Sequence, residues 1–181
     1  VEIRPATPAD AEAIARVQVE TWRSAYTGMI AGHVLDAMTV ERTAARWATY
    51  FGTPGVAVWL AVDGGEAAGF VCVGPPREDD VPAAGEVYAI YVRPAAQRRG
   101  LGAALLGTAE DRLGDGAGVL WVLTANAPAR AFYEARGWVP EGTERGIDVG
   151  GDVVAELRYR RSGRAGPPRP APPPPRLARY R

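Results

Sequence analysis

Apolar and polar positions along this chain fall into two periods, one of about two residues and one near four, and the switches between them mark the elements. Residues 2–4 alternate and predict a short strand. Ala11, Ile14, Ala15, Val17, Val19, Trp22 and Tyr26 follow at helical spacing and predict a helix ending near Gly28. Its start is signalled by Thr7-Pro8-Ala9-Asp10. Thr7 suits the cap, Pro8 the first turn, and Asp10 the positive end of the helix dipole. Leu35, Met38, Ala45 and Trp47 predict a second helix over residues 34–50, with Asp36 and Thr39 as rival caps. Apolar runs at 56–62 and 67–73, joined by Asp63-Gly64-Gly65-Glu66, predict a hairpin. Residues 75–84 are polar and turn-rich and predict a surface loop.

A strand is expected at 86–92, where β-branched and aromatic residues dominate and Pro94 ends the ladder. Leu101, Leu105, Ala109 and Leu113 then recur every fourth residue and predict a helix. Gly114 to Gly118 breaks it, and 119–123 reads as another buried strand. Pro128 opens a further helix that should end at Gly137. A strand begins at 138–140, residues 142–151 read as a turn-rich connection, and 153–159 is the last strand. The order β-α-α-β-β-β-α-β-α-β-β is a mixed α/β layout. It predicts one folded unit over residues 1–161 and a tail over 162–181, where seven of 20 residues are proline. That tail should be extended polyproline II or disordered. It is either a solvated end or a strap for a partner or a homodimer.

Between the 86–92 strand and its helix stands Gln97-Arg98-Arg99-Gly100-Leu101-Gly102. The first N–H groups of a helix lack internal partners and carry the positive end of its dipole, so a phosphate docks there readily. Glycines let a ligand approach the backbone, and the two arginines add charge for a diphosphate. A plain strand-to-helix connection is the alternative. The six residues resemble the Q-x-x-G-x-G/A signature of the GNAT superfamily of N-acetyltransferases. Asn126, Ala129, Tyr133, Gly137 and Trp138 are similar to that family's N-x-x-A-x-x-x-Y-x-x-x-G-F/W block, in the family's order.

The resemblance implies a central, mostly antiparallel twisted sheet whose strands 4 and 5 splay apart, flanked by about four helices. It implies transfer of an acetyl group from acetyl-CoA to a primary amine by direct attack in a ternary complex. Gln97, Arg98, Arg99, Gly100, Leu101, Gly102 and Ala103 are then cofactor-binding. The backbone of Ile90, Tyr91 and Val92 pairs with the pantetheine arm, and one of their N–H groups polarises the thioester. Asn126 bonds the same arm, or caps the helix that follows, or both. Arg130 either reaches the phosphates or is a surface charge. Tyr133 is the general acid at the leaving sulfur. Glu86 is either the base that deprotonates the amine or a solvent-facing carboxylate at a strand end. Some relatives carry a glutamate five residues before the asparagine, but here that position is Trp121. Trp22 and Tyr26, one turn apart, either line the acceptor pocket or pack under the sheet. Tyr88 and Tyr91 offer pocket lining or a proton relay. His33 reads as a surface residue.

Composition narrows the rest. With one cysteine (Cys72) and one histidine (His33), no internal disulfide and no Zn site are expected. Cys72 lies in an apolar run and reads as a buried, inert thiol. No stretch of about 18 apolar residues suggests a membrane span, and no basic-then-apolar leader opens the sequence, so a cytoplasmic protein is expected. All 21 basic residues are arginine, which fits a GC-rich bacterial genome. Residues 1–157 hold 13 Arg against 21 acids, a net of −8, while residues 158–181 hold 8 Arg and no acid. An acidic body gives nucleic-acid binding little support and suits a small-molecule or peptide amine. A dinucleotide enzyme would want a third glycine where Leu105 stands. A non-catalytic acyl-CoA sensor on the same fold is the remaining alternative.

Overall fold

The apolar runs find their partners in a single seven-stranded sheet. The computed structural model describes residues 1–78 and 83–163. Its elements in chain order are β1 (Glu2–Pro5), α1 (Ala11–Ala25), α2 (Gly32–Ala37), α3 (Val40–Tyr50), β2 (Ala57–Asp63), β3 (Glu66–Gly74), β4 (Gly85–Val92), α4 (Leu101–Leu113), β5 (Gly118–Leu123), α5 (Ala127–Glu134), β6 (Val139–Val149) and β7 (Asp152–Arg161). The strand order is β1-β2-β3-β4-β5-β7-β6, and every pairing is antiparallel except β4 with β5. That parallel pair needs a crossover, and α4 supplies it.

Each face of the sheet is covered. On one, Leu101, Leu105, Leu106 and Ala109 of α4 pack with Tyr133 and Trp138 against Val71, Val87 and Leu120. On the other, Ile14 and Ala15 of α1 and Trp47 of α3 pack against Leu60, Phe70 and Cys72. Cys72 is fully buried, and burial pushes its thiol up to about 12, so it is unreactive at neutral pH. The start of α1 is fixed by Asp10. Its carboxylate accepts from the Thr7 N–H at 2.8 Å and forms an ion pair with Arg4 at 2.7 Å. The bond to the Arg4 guanidinium holds that carboxyl well below the usual range.

Three elements differ from the sequence expectation. The helix expected at 34–50 is two helices. Met38 and Thr39 are extended, and the Thr39 side chain accepts from the Arg42 N–H at 3.2 Å, so Thr39 caps a new helix. Residues 142–151 are also not one connection. Most of them belong to β6, which pairs along β7 with an irregularity between Pro140 and Glu144, where Gly142 has φ +83°. Only Gly150 and Gly151, at φ +67° and +97°, make the hairpin turn. Long-range pairing with β7 overrides the weak strand propensity of the glycines. The last helix ends at Glu134, before Gly137. Among the described residues, no helix is long and apolar enough to cross a membrane. The Pro/Arg-rich segment expected to be extended falls beyond Gly163, outside the described residues.

Candidate active site

The site begins where β4 and β5 part. They pair only at Gly85–Gly118, Glu86–Val119 and Val87–Leu120. Beyond Val87, β4 keeps β3 on one side and β5 keeps β7, and the edge of β4 that faces β5 has no ladder. A bulge opposite Cys72 and Val73 leaves Tyr88 as the extra residue at this point. The gap opens into a cavity of about 650 Å³, lined in part by Ile90, Tyr91 and Val92. Unladdered backbone groups beside a cavity call for a partner there.

At the end of β4 the chain turns through Gln97 to Gly100. The Gln97 amide donates to Val92 O at 2.9 Å and clamps the turn to the strand. Arg98 has φ +57° and Gly100 φ +82°. Arg98 is the one non-glycine residue with positive φ among the described residues, a conformation costing on the order of 1 kcal/mol that persists only where its surroundings dictate it. Such a turn aims successive N–H groups into one concavity, a nest for an anion. The first turn of α4 adds the unpartnered N–H groups at its N-terminus. Gly102 is needed for closeness as well: a Cβ there would lie 3.3 Å from the Phe132 ring. Gln97, Arg98, Gly100, Gly102 and Ala103 all line the cavity. Arg99 and Leu101 do not. Arg99 pairs with Asp63 at 2.8 Å, and Leu101 is buried in the core.

Across from the turn, Asn126 begins α5. Its side-chain oxygen accepts from the Ala129 N–H at 3.2 Å, so it caps the helix while it also lines the cavity. Tyr133, two turns on, is 8% exposed and points into the same space, with Phe132, Trp138 and Tyr159 around its ring. Burial, with Tyr91 nearby, pushes its hydroxyl well above the ordinary phenol range. The hydroxyl therefore keeps its proton at neutral pH.

Trp22 and Tyr26, from the end of α1, close the far end of the cavity. Their rings meet edge-on at 5.0 Å, and Trp22 lies 6.4 Å from Tyr91. Trp22 Nε1 is buried with no hydrogen-bond partner among the described residues. Ile30, Leu35 and Leu123 form a small cluster behind them. Burial raises the pKa of both Tyr26 and Tyr91.

Besides Arg99 and Leu101, two further expected residues lie off the cavity. Glu86 is 2% exposed but turns to the loop before β4, outside the cavity lining. Its carboxylate accepts from the Arg77 N–H and Nε, each at 2.9 Å, and forms an ion pair with the same guanidinium. It is thus neither at the cavity nor a solvent-facing carboxylate. Arg130 donates to Tyr159 Oη at 3.1 Å and Thr124 O at 3.2 Å, and it too is off the cavity wall. His33 is exposed, its ring 3.3 Å from Gly150 O.

Among the lining residues with no sequence-level assignment to the site, Arg136, Trp121 and Glu156 bear on its chemistry. Arg136, rather than Arg130, faces the cavity, stacked 4.0 Å over the Phe132 ring. Its signal is the four-residue spacing from Phe132. Trp121 lines the wall under Arg145, whose guanidinium sits 3.9 Å over its ring. Glu156 enters from β7. Nothing local marks it, because its place depends on β7 lying between β5 and β6.

Comparison with known proteins gives the family and the fold. Residues 18–138 match the acetyltransferase (GNAT) family. An uncharacterised N-acetyltransferase of Bacillus subtilis is 33% identical over 162 residues, covering 87% of this chain and 90% of that protein. A probable N-acetyltransferase of Mycobacterium tuberculosis is 28% identical over 166 residues, covering 88% and 92%. The fold is shared with the PaiA N-acetyltransferase of Thermoplasma acidophilum, solved in complex with coenzyme A: the TM-score is 0.67 at 20% identity, over 89% of this chain and 98% of that one.

Proposed function

From the premise that this chain belongs to the GNAT acetyltransferase family and is an N-acetyltransferase, we propose that it moves an acetyl group from acetyl-CoA to a primary amine by direct attack in a ternary complex. The observation that carries the reading is the parting of β4 from β5 beyond Val87. It opens one cavity that joins the Arg98–Gly100 turn, the bare edge of β4 and the Tyr133 hydroxyl.

Acetyl-CoA supplies an activated acyl thioester. The chain's residues supply position and charge. The N–H groups from Arg98 to Ala103, with the Arg98 and Arg136 side chains, hold the diphosphate. The edge of β4 at Ile90, Tyr91 and Val92 takes the extended arm as an added strand, and one of its N–H groups faces the carbonyl oxygen as charge develops there. Asn126 stands where the strands part and steadies the arm. Tyr133 gives its proton to the departing sulfur, and the attacking nitrogen, which enters as the neutral amine, returns its surplus proton to the resulting tyrosinate. Trp22 and Tyr26 flank the amine. The base role for Glu86 gains no support from its position, since Arg77 engages both carboxylate oxygens.

A thiol-release assay with acetyl-CoA and a panel of primary amines tests this reading. Tyr133→Phe should lower kcat by about 10²- to 10⁴-fold, the usual worth of a positioned acid. Acetyl-CoA affinity should stay within about threefold, because the ring remains in place. The pH profile carries a further sign. The Tyr133 pKa is raised, so its acid form persists beyond the ordinary phenol value of about 10. Turnover should rise with pH as the amine loses its proton and show no alkaline fall before that value. Unchanged kcat in Tyr133→Phe removes the acid role. Binding of acetyl-CoA with no transfer to any amine favours the sensor alternative.

A further inference from the structure

The far half of the cavity has an electrostatic character of its own. Glu156 reaches into it from β7, its side chain 14% exposed. Oε2 accepts from Arg145 Nε at 3.0 Å and from Nη2 at 2.9 Å. Oε1 accepts no hydrogen bond among the described residues. The carboxylate is thus anchored by one oxygen and open at the other. The rings of Trp22, Tyr26 and Trp121 line the same cavity, and Ile147 of β6 adds an aliphatic surface. Arg145 lies over Trp121 and also donates to Glu78 at 2.5 Å, and Arg158 donates to the same Glu78 at 3.2 Å, so Arg145 engages Glu156 through Oε2 alone.

An open carboxylate oxygen inside aromatic walls favours a cation twice over. It attracts the charge directly, and aromatic faces attract it through their quadrupole. The same oxygen repels an acid. We propose that the acceptor is a cationic amine with an apolar or aromatic body and no carboxylate beside its nitrogen, and that Glu156 Oε1 receives its ammonium group. The inference rests on the acetyl-transfer reading and narrows its acceptor. Free amino acids are selected against, because their carboxylate would meet Glu156. Trp22 Nε1, buried and with no hydrogen-bond partner among the described residues, offers the bound acceptor a donor. Glu156 acts here as a specificity-determining residue.

The test compares 2-phenylethylamine with phenylalanine, which share a ring and differ by the carboxylate. Wild type should prefer the amine by about 100-fold or more in kcat/KM, as expected where like charges face each other. Glu156→Gln should raise KM for the amine about 10- to 100-fold, leave acetyl-CoA affinity alone and shrink the preference. Glu156→Asp should recover part of the loss. Equal use of both compounds by wild type, or an unchanged KM in Glu156→Gln, overturns the proposal. No transfer to 2-phenylethylamine while acetyl-CoA still binds overturns it too, yet leaves acetyl transfer to another amine standing. Failure of wild type to bind acetyl-CoA overturns both. Should the glutamine variant unfold, the wild-type comparison decides alone.

Discussion

The half of the cavity around Gly100 and the half around Glu156 are built in opposite ways. The first comes from two contiguous stretches, the end of β4 with its turn and the start of α5. It acts mainly through the main chain: the β4 edge, the positive-φ turn at Arg98 and Gly100, and the first N–H groups of α4. The second is gathered from the end of α1, from β5 and from β6 and β7, and acts through side chains. Main-chain recognition needs few residue types but strict backbone conformation. Side-chain recognition tolerates many residue types and changes with each. A nucleotide common to many enzymes suits the first arrangement, and an acceptor that must be told from its analogues suits the second.

The largest expected effect breaks the main-chain half alone. Gly102→Trp places an indole where a Cβ already meets Phe132 at 3.3 Å, in the path to the turn. Calorimetry should show acetyl-CoA affinity falling by more than about 100-fold, since a blocked site loses most of its contacts. A well-folded variant that binds normally removes the turn from the site. A smaller effect should mark the side-chain half. Trp22→Ala should raise KM for a cationic amine by about tenfold, through lost ring and N–H contacts, while the acetyl-CoA dissociation constant stays within about threefold. Equal losses in both constants would show that the two halves are one unit. The smallest effect belongs at the junction. Asn126→Ala loses the α5 cap seen at 3.2 Å and should cost about 1 kcal/mol of stability, read as a lower Tm.

The same contrast explains what could be read from the sequence. The helix at Leu101–Leu113 begins and ends where its periodicity and glycines put it, because both signals are local. The Gln97 to Gly102 motif was legible for the same reason. The positive φ of Arg98 was not, since no residue-level preference points to arginine there. Thr39 and Asp36 were equal candidates by propensity. The Arg42 N–H settles the matter only once the chain is folded. β6 contains Gly142 and Gly146 and reads as a connection until β7 pairs with it. Arg130 lies on α5 and Arg136 just past its end, and only the packing of Phe132 and Tyr159 decides which faces the cavity. Glu86 was read as either a base or an exposed strand end, and Arg77 from the preceding loop gives it a third role. Glu156 sits on a strand of alternating polarity whose polar phase reads as solvent-facing. The insertion of β7 between β5 and β6 turns it toward the cavity.

The central claim is that a nucleotide-tailed thioester lies along β4 with its diphosphate on the turn and its sulfur at Tyr133. Amide chemical shifts of the labelled protein, followed during an acetyl-CoA titration, test this most directly. The account predicts large shifts for Ile90 to Val92, for Arg98 to Ala103 and for Tyr133, and little change at Glu86 and Arg77. Saturable shifts confined to other residues, or none at all, would contradict it.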